Sequence, residues 1–261
     1  MKKNSKSGKV RLDKIDTRSP KKLHKSKVKA DLVKLKLRLA ELQNVLYAQS
    51  KYAVLVVLQG MDASGKDGVI RKVFDAINPA GCRIHSFKKP TELEMKHDFL
   101  WRVHQVVPEK GMIHIFNRSH YEDVLIQRVH KWIDETTVYQ RFQHINAFEK
   151  LLTENNTIVL KFYLHVSSEK QLERLKERIS DPTKNWKYNA ADLQERTFWN
   201  QYREAYEDVF EHCNDVPWQI VPSDENWYKE YLICSAIVEQ LEKLKLTFPK
   251  LPEVKKQSGV A

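Results

Sequence analysis

The sequence predicts an α/β protein built on a parallel sheet with helices on both faces. Three observations predict it. Short β-rich apolar runs alternate with longer segments of helical period, the pattern of strands joined by helical crossovers. The run Ala53–Gln59 (AVLVVLQ) is apolar at nearly every position, as a strand buried on both faces requires. That run feeds a glycine turn, Gly60-Met61-Asp62-Ala63-Ser64-Gly65-Lys66, which opens a helix.

The elements follow in order. Residues 1–29 are Lys/Ser-rich and predict a basic arm with little to bury. Leu32, Leu35, Leu39, Leu42 and Leu46 recur at steps of three and four, which predicts a helix over 30–50 that packs on the body or on a second subunit. After the strand at 53–59, residues 65–77 read as helix and 82–87 as a second strand. Residues 92–104 read as helix, with the aromatic pair Phe99 and Trp101. Gly111 breaks the chain before a third strand at 112–117, and 118–129 turns into helix. Helix is expected over 138–155 and a strand over 157–166. Helices over 168–179 and 190–211, joined by the polar stretch 180–189, read as a lid inserted over the active edge, about 168–211. A last strand at 218–221 and a helix at 227–246 close the domain. Pro249 and Pro252 predict an extended tail over 250–261. There is no internal repeat and no linker to a second domain, so one domain is expected over 30–249.

Composition narrows the function classes. The net charge of +11 sits almost wholly in residues 1–29, where twelve Lys/Arg face two Asp; the rest carries 33 basic against 32 acidic residues. Any cationic site in the folded body must therefore come from local clustering. No apolar run approaches the length of a membrane span, and no apolar stretch follows the basic N-terminus as in a secretory signal. The three cysteines, Cys82, Cys213 and Cys234, are scattered without metal-ligand spacing and read as packing residues of a cytoplasmic protein.

The chemistry concentrates at two clusters. Gly60-x-x-x-x-Gly65-Lys66 between strand and helix is a P-loop: its glycines let backbone N–H groups curl toward phosphate oxygens, and the helix adds its positive end. Gly60, Ala63, Ser64, Gly65 and Gly68 are the cradle candidates, with Lys66 reaching the phosphates. Asp67 stands where Ser or Thr usually offers Mg²⁺ a hydroxyl. Asp67 and Asp62 read as metal-binding or phosphate-activating acids; as alternatives, Asp67 is a helix N-terminal acid and Asp62 a turn residue. The second cluster, Asn117-Arg118-Ser119-His120-Tyr121-Glu122-Asp123, follows the third strand. Arg118 can clamp phosphate. Asp123 and Glu122 are both candidates for a metal-binding carboxylate at the P-loop edge, one of the two is expected to face solvent, and His120 reads as packing or capping. Phosphoryl transfer needs positioning and charge neutralisation, so Arg71, Lys72, Lys88, Lys89, Arg174, Arg178, Lys184 and Lys187 are the cations expected around the cleft.

Taken together, LQGMDASGKDGVIRKVF (58–74), HSFKKPTELE (85–94), FNRSHYEDVL (116–125) and ERISDPTKNWKYNAADLQER (177–196) resemble polyphosphate kinase family 2, whose P-loop ends in GKDG. The resemblance spans about residues 51–249. It implies a three-layer, thymidylate-kinase-like fold with a five-stranded parallel sheet and a helical lid. It implies Mg²⁺-dependent, reversible transfer of a terminal phosphate from inorganic polyphosphate to a nucleotide, with Mn²⁺ able to substitute. By the same resemblance Asp62, Lys66, Asp67, Arg118, Asp123 and Arg178 are catalytic, and Asp62 and Asp123 hold the metal. Asn117 with Glu122 is similar to the class III branch, which accepts nucleoside mono- and diphosphates. The nucleotide is expected near Phe87, Lys88, Lys89, Asn117 and Glu122, and a dimer or tetramer is expected. The competing readings are an ATP-dependent nucleoside monophosphate kinase, against which Asp67 speaks, and a nucleic-acid-binding module resting on the basic arm.

Overall fold

The computed structural model describes residues 10–251. Five strands, β1 (Ala53–Gln59), β2 (Cys82–Ser86), β3 (Ile113–Asn117), β4 (Thr157–His165) and β5 (Trp218–Pro222), form one sheet in the order β2-β3-β1-β4-β5. Every pair is parallel. The helices in chain order are α1 (Lys25–Gln49), α2 (Lys66–Val73), α3 (Trp101–His104), α4 (Ile126–Val129), α5 (Glu135–Glu154), α6 (Ser168–Ser180), α7 (Ala191–Glu195), α8 (Trp199–His212) and α9 (Asn226–Lys243).

The central strand explains the three layers. All seven residues of β1 are buried, and their side chains alternate between two cores. Leu55 and Val57 join Phe142, Ile145, Val209 and Phe210 of α5 and α8. Val54, Val56 and Leu58 join Leu39, Leu46, Val69, Ile237 and Leu241 of α1, α2 and α9. The leucine stripe of α1 is thus core packing within the chain, since Leu32, Leu39, Leu42 and Leu46 are buried beside α9.

Three expectations change. The basic arm is docked from residue 10 onward. Leu12 is buried in the core and its N–H donates to Glu207 at 2.8 Å; Thr17 donates to Asp224 at 2.8 Å and the Ser19 N–H to Glu225 at 2.9 Å. Leu12 in the core, Val10 and Ile15 packed against it, and hydrogen bonds to Glu207, Asp224 and Glu225 anchor a segment whose composition reads as solvated, and α1 already begins at Lys25. Residues 1–9 and most of the expected tail, 252–261, lie outside the described residues. Second, the helix expected at 92–104 is reduced to a 3₁₀ turn at Glu94–Lys96 and to α3. Thr91 and Glu94 cap one turn reciprocally, and the Asp98 carboxylate then takes the Leu100 N–H at 3.0 Å and starts another. Third, the lid is shorter than 168–211. In α8, Ala205, Tyr206, Val209 and Phe210 are core, and Gln171 and Leu175 bury α6. The exposed cover is the stretch from the end of α6 through α7.

Candidate active site

The loop after β1 owes its shape to residues in left-handed conformations. Gly60 has φ +147°, and a Cβ there would lie 2.8 Å from the Leu164 carbonyl. Gly65 has φ +101°, and a Cβ would collide with the Lys229 ammonium. Ala63 and Arg118 take φ 57° and 64° without glycine's freedom, which places local strain on both sides of the cleft. Gly68 has open space where its Cβ would be, so neither φ nor crowding demands glycine there.

A cleft of about 880 Å³ opens beside this loop. Asp62, Ala63, Gly65, Lys66, Asp67, Gly68 and Arg71 form its P-loop wall; Phe87, Lys88, Asn117 and Arg118 stand at the strand ends; Arg178, Lys184 and Lys187 come from the cover. The buried Lys66 ammonium donates to Gly60 O at 2.6 Å and Met61 O at 3.2 Å. Burial, then the neighbouring Arg118, lowers its pKa to about 8 against the opposing pull of Asp62, Glu122 and Asp67. Arg118 donates to Asp62 at 2.5 Å. Burial opposes ionisation of Asp62, but Arg118 and then Lys66 outweigh it and hold the carboxyl below the usual range.

Glu122 takes the site-facing position expected of Asp123, and neither acid is exposed. Asp123 is buried against Arg102 at 3.5 Å, and Gln127 donates to its carboxylate. It lines neither the cleft nor the chamber behind it. Glu122 faces that chamber, a space of about 220 Å³ that also meets Gly60, Asp62 and Arg118. Burial pushes Glu122 above the usual carboxylate range against the pull of Arg118 and Lys66, with Asp62 adding to the rise. This placement of Glu122 follows from the 3₁₀ turn His120–Val124, whose threefold period directs neighbouring side chains differently from the expected α-helix. His120 is fully buried beside Glu149 at 3.4 Å, a packing residue as expected.

Other candidates are redistributed. Arg174 touches the cleft, but its guanidinium donates to the carbonyls of Ala63, Ser64, Ser223 and Asp224 at 2.7–3.2 Å, so it buttresses the loop from behind. Ser64 is buried, and its carbonyl accepts from Arg174, Ser223 and Lys229. Lys72 lies outside the cleft on an outer groove, and Lys89 is exposed and lines no part of the cleft. Asp67 accepts from Asn117 at 2.9 Å and from Lys187 at 2.9 Å, joining P-loop helix, strand end and cover. Arg178 is paired with Asp192 at 2.5 Å. Sequence reasoning missed Lys229 on α9. Its ammonium donates to Asn226 at 2.9 Å and Ser64 O at 3.3 Å, lines the cleft, and has its pKa lowered to about 7 by burial and then Arg174. It also missed Trp186, exposed by 78% over the cleft, and Gln171, which holds Asp62 O at 2.9 Å.

Among the described residues no three His, Cys, Asp or Glu side chains converge as a metal cage. Asp62 and Glu122 fit a different kind of site. Two carboxylates beside a phosphate cradle match the oxygen donors of Mg²⁺, which is usually held by one or two acids plus substrate phosphates.

A parallel sheet in this order, a P-loop between β1 and α2, and a cationic cover define a P-loop kinase. The chain belongs to the polyphosphate kinase 2 family: residues 22–249 match Polyphosphate kinase 2 (PPK2). It is 48% identical over 221 residues to an AMP/ADP-polyphosphate phosphotransferase of Meiothermus ruber, covering 84% of this chain and 83% of that protein. It is 43% identical over 227 residues to an ADP-polyphosphate phosphotransferase of Rhodopseudomonas palustris, covering 82% and 78%. A crystal structure of Polyphosphate Kinase 2 from Arthrobacter aurescens TC1 superposes with a TM-score of 0.91 at 39% identity, covering 94% of this chain and 89% of that one.

Proposed function

We propose that this protein transfers the terminal phosphate of inorganic polyphosphate to nucleoside mono- and diphosphates, AMP to ADP and ADP to ATP, reversibly. The observation that carries this reading is the cleft itself: Lys66, Arg71, Lys88, Arg118, Arg178 and Lys187 line one space, while the position after the P-loop lysine offers a carboxylate in place of a hydroxyl. A polyphosphate donor presents charge and no base, so a cationic lining is the recognition it requires.

A terminal oxygen of the acceptor's phosphate attacks the end phosphorus of the chain. The bridging P–O bond breaks, and the donor leaves one phosphate shorter. Lys66 and Arg118 neutralise charge on the transferred group, which in a loose transition state is the main demand on the protein. Asp62 and Glu122 would hold Mg²⁺, or Mn²⁺ in its place, which supplies further charge neutralisation and phosphate alignment when bound. Arg118 keeps Asp62 ionised for that role. Arg178 in the cover is placed to act on the transferring phosphate once it exchanges Asp192 for substrate. Phe87, Lys88 and Asn117 line the acceptor end.

The test is purified protein with AMP or ADP, Mg²⁺ and long-chain polyphosphate in the absence of any nucleoside triphosphate. Formation of ADP or ATP is expected; its absence defeats the reading.

A further inference from the structure

The loop 223–226, between β5 and α9, is gripped from two sides. On one side it meets the P-loop at a single acceptor, the Ser64 carbonyl. Ser223 Oγ donates to that oxygen at 2.7 Å, Arg174 at 3.0 Å and Lys229 at 3.3 Å. The loop sets all three donors. Ser223 belongs to it, Arg174 also donates to the Ser223 and Asp224 carbonyls at 2.7 and 3.2 Å, and Lys229 donates to Asn226 at 2.9 Å. A trans peptide is planar, so its C=O and N–H point opposite ways. Tying the Ser64 oxygen back to the loop therefore turns the Gly65 N–H toward the cleft, which Gly65 lines.

On the other side stands a strap, residues 10–19 of the docked arm. Thr17 and Asp224 bond reciprocally: the hydroxyl donates to the carboxylate at 2.8 Å, and the Asp224 N–H donates to the Thr17 carbonyl at 3.0 Å. The Ser19 N–H donates to Glu225 at 2.9 Å. His165, whose carbonyl takes the Ser223 N–H at 2.8 Å, donates through Nε2 to the Ile15 carbonyl at 3.1 Å. Leu12 seats the far end of the strap in the core. No strap residue lines the cleft, so any influence on substrate must pass through the loop.

We propose that the strap is a positioning element of the donor site. Docked, it fixes the loop 223–226, and through the loop it fixes the peptide that presents the Gly65 N–H to phosphate. Thr17 is the positioning residue at the contact. Release of the strap leaves the P-loop in place but frees its Ser64–Gly65 peptide to rotate. Donor binding then weakens, while the acceptor end at Phe87, Lys88 and Asn117 is spared. The kinetic consequence rests on the proposed polyphosphate-dependent activity; the coupling of strap to P-loop does not.

Hydrogen exchange on the free protein reads the coupling, and steady-state assays with ADP, Mg²⁺ and long-chain polyphosphate read its consequence. Thr17→Val removes the hydroxyl donor at nearly constant shape, and Leu12→Ala loosens the strap at its other end. Each should speed amide exchange about tenfold in the strap, in 223–229 and in 60–69, the effect of losing one charge-assisted hydrogen bond or a comparable contact, and leave β3 unchanged. Each should also raise donor KM by about the same factor while kcat and KM for ADP stay put. Thr17→Ser keeps the hydroxyl and should match the unaltered protein in every readout. Unchanged exchange in 60–69 beside a strap that has lost protection would overturn the proposal. So would retained strap protection in both variants, or an equal rise in KM for ADP. Failure of the unaltered protein to use polyphosphate would instead defeat the proposed activity and leave the exchange result to decide the coupling.

Discussion

Adjacent carboxylates can have unlike fates, and Glu122 and Asp123 do. Asp123 is spent on Arg102 and Gln127 inside the protein, whereas Glu122 shares the field of Lys66, Arg118 and Asp62. Asp62→Asn and Glu122→Gln should each lower kcat by about 10²-fold or more, the range for loss of a charged group acting on the transition state. Asp123→Asn should stay within a few-fold of the unaltered rate. Steady-state assays with ADP and polyphosphate check all three, and a collapse confined to Asp123→Asn would reverse the assignment. Lys66 sets a second expectation at this scale. Only its protonated form attracts phosphate, and its pKa in the free protein is lowered to about 8. Donor kcat/KM should therefore hold below pH 8 and decline as pH rises through it, because that parameter reports free-enzyme ionisation. A profile flat from pH 7 to 9 would exclude Lys66 as the donor-binding cation.

At the scale of elements, the P-loop is shaped by what stands behind it. Arg174 from α6 and Lys229 from α9 hold its carbonyls, and Gly65 is the point of closest approach. Gly65→Ala meets both an unfavourable φ and the Lys229 ammonium. It should destabilise the fold by about 1–3 kcal/mol, read in denaturant unfolding, and raise KM for the donor. The cover is held more weakly. The Lys187–Asp67 pair is half-exposed, and exposed pairs contribute little, so this contact can open and reclose without large cost. Arg178→Ala should lower kcat while nucleotide Kd changes little, as for a group that acts on the transition state. An equal loss of nucleotide affinity would make it a binding residue instead.

The molecule as a whole connects its core to its chemistry through a buried polar network. Lys161 of β4 donates to Glu149 at 2.7 Å, to Tyr121 at 2.8 Å and to the Cys213 carbonyl at 2.9 Å, with both charges fully buried. Tyr121 also donates to Glu149 at 2.7 Å. The turn that presents Arg118 and Glu122 is thereby tied to α5 and β4. Glu149→Gln leaves the Lys161 charge without its counter-ion and should cost about 3–5 kcal/mol in unfolding experiments. Lys161→Met/Glu149→Leu should recover part of that loss, because it removes both charges together. If the pair costs more to remove than the single substitution, the network stabilises the fold beyond compensating its own burial.

The fold was largely legible in the chain. Apolar strands and helical stripes are local patterns, and the P-loop glycines lie within nine residues of one another, so Asp62, Lys66, Arg118 and the cations of the cover could be named before any contact was known. The helix at 92–104 failed because capping side chains broke a pattern that composition favoured. The arm failed because a few apolar side chains, Val10, Leu12 and Ile15, and their neighbouring hydrogen bonds outweigh a solvated composition. The sequence by itself determined the kind of site: a phosphate loop, acids beside it and basic residues to surround it. Only the tertiary structure decided which of Glu122 and Asp123 faces the loop, that Arg174 supports it from behind, and that Lys229 meets Gly65. The physical reason is distance along the chain. Period and motif are set by neighbours, whereas the direction of a side chain in a 3₁₀ turn, or the approach of α9 to a loop 165 residues earlier, is settled by packing between elements that share no local signal.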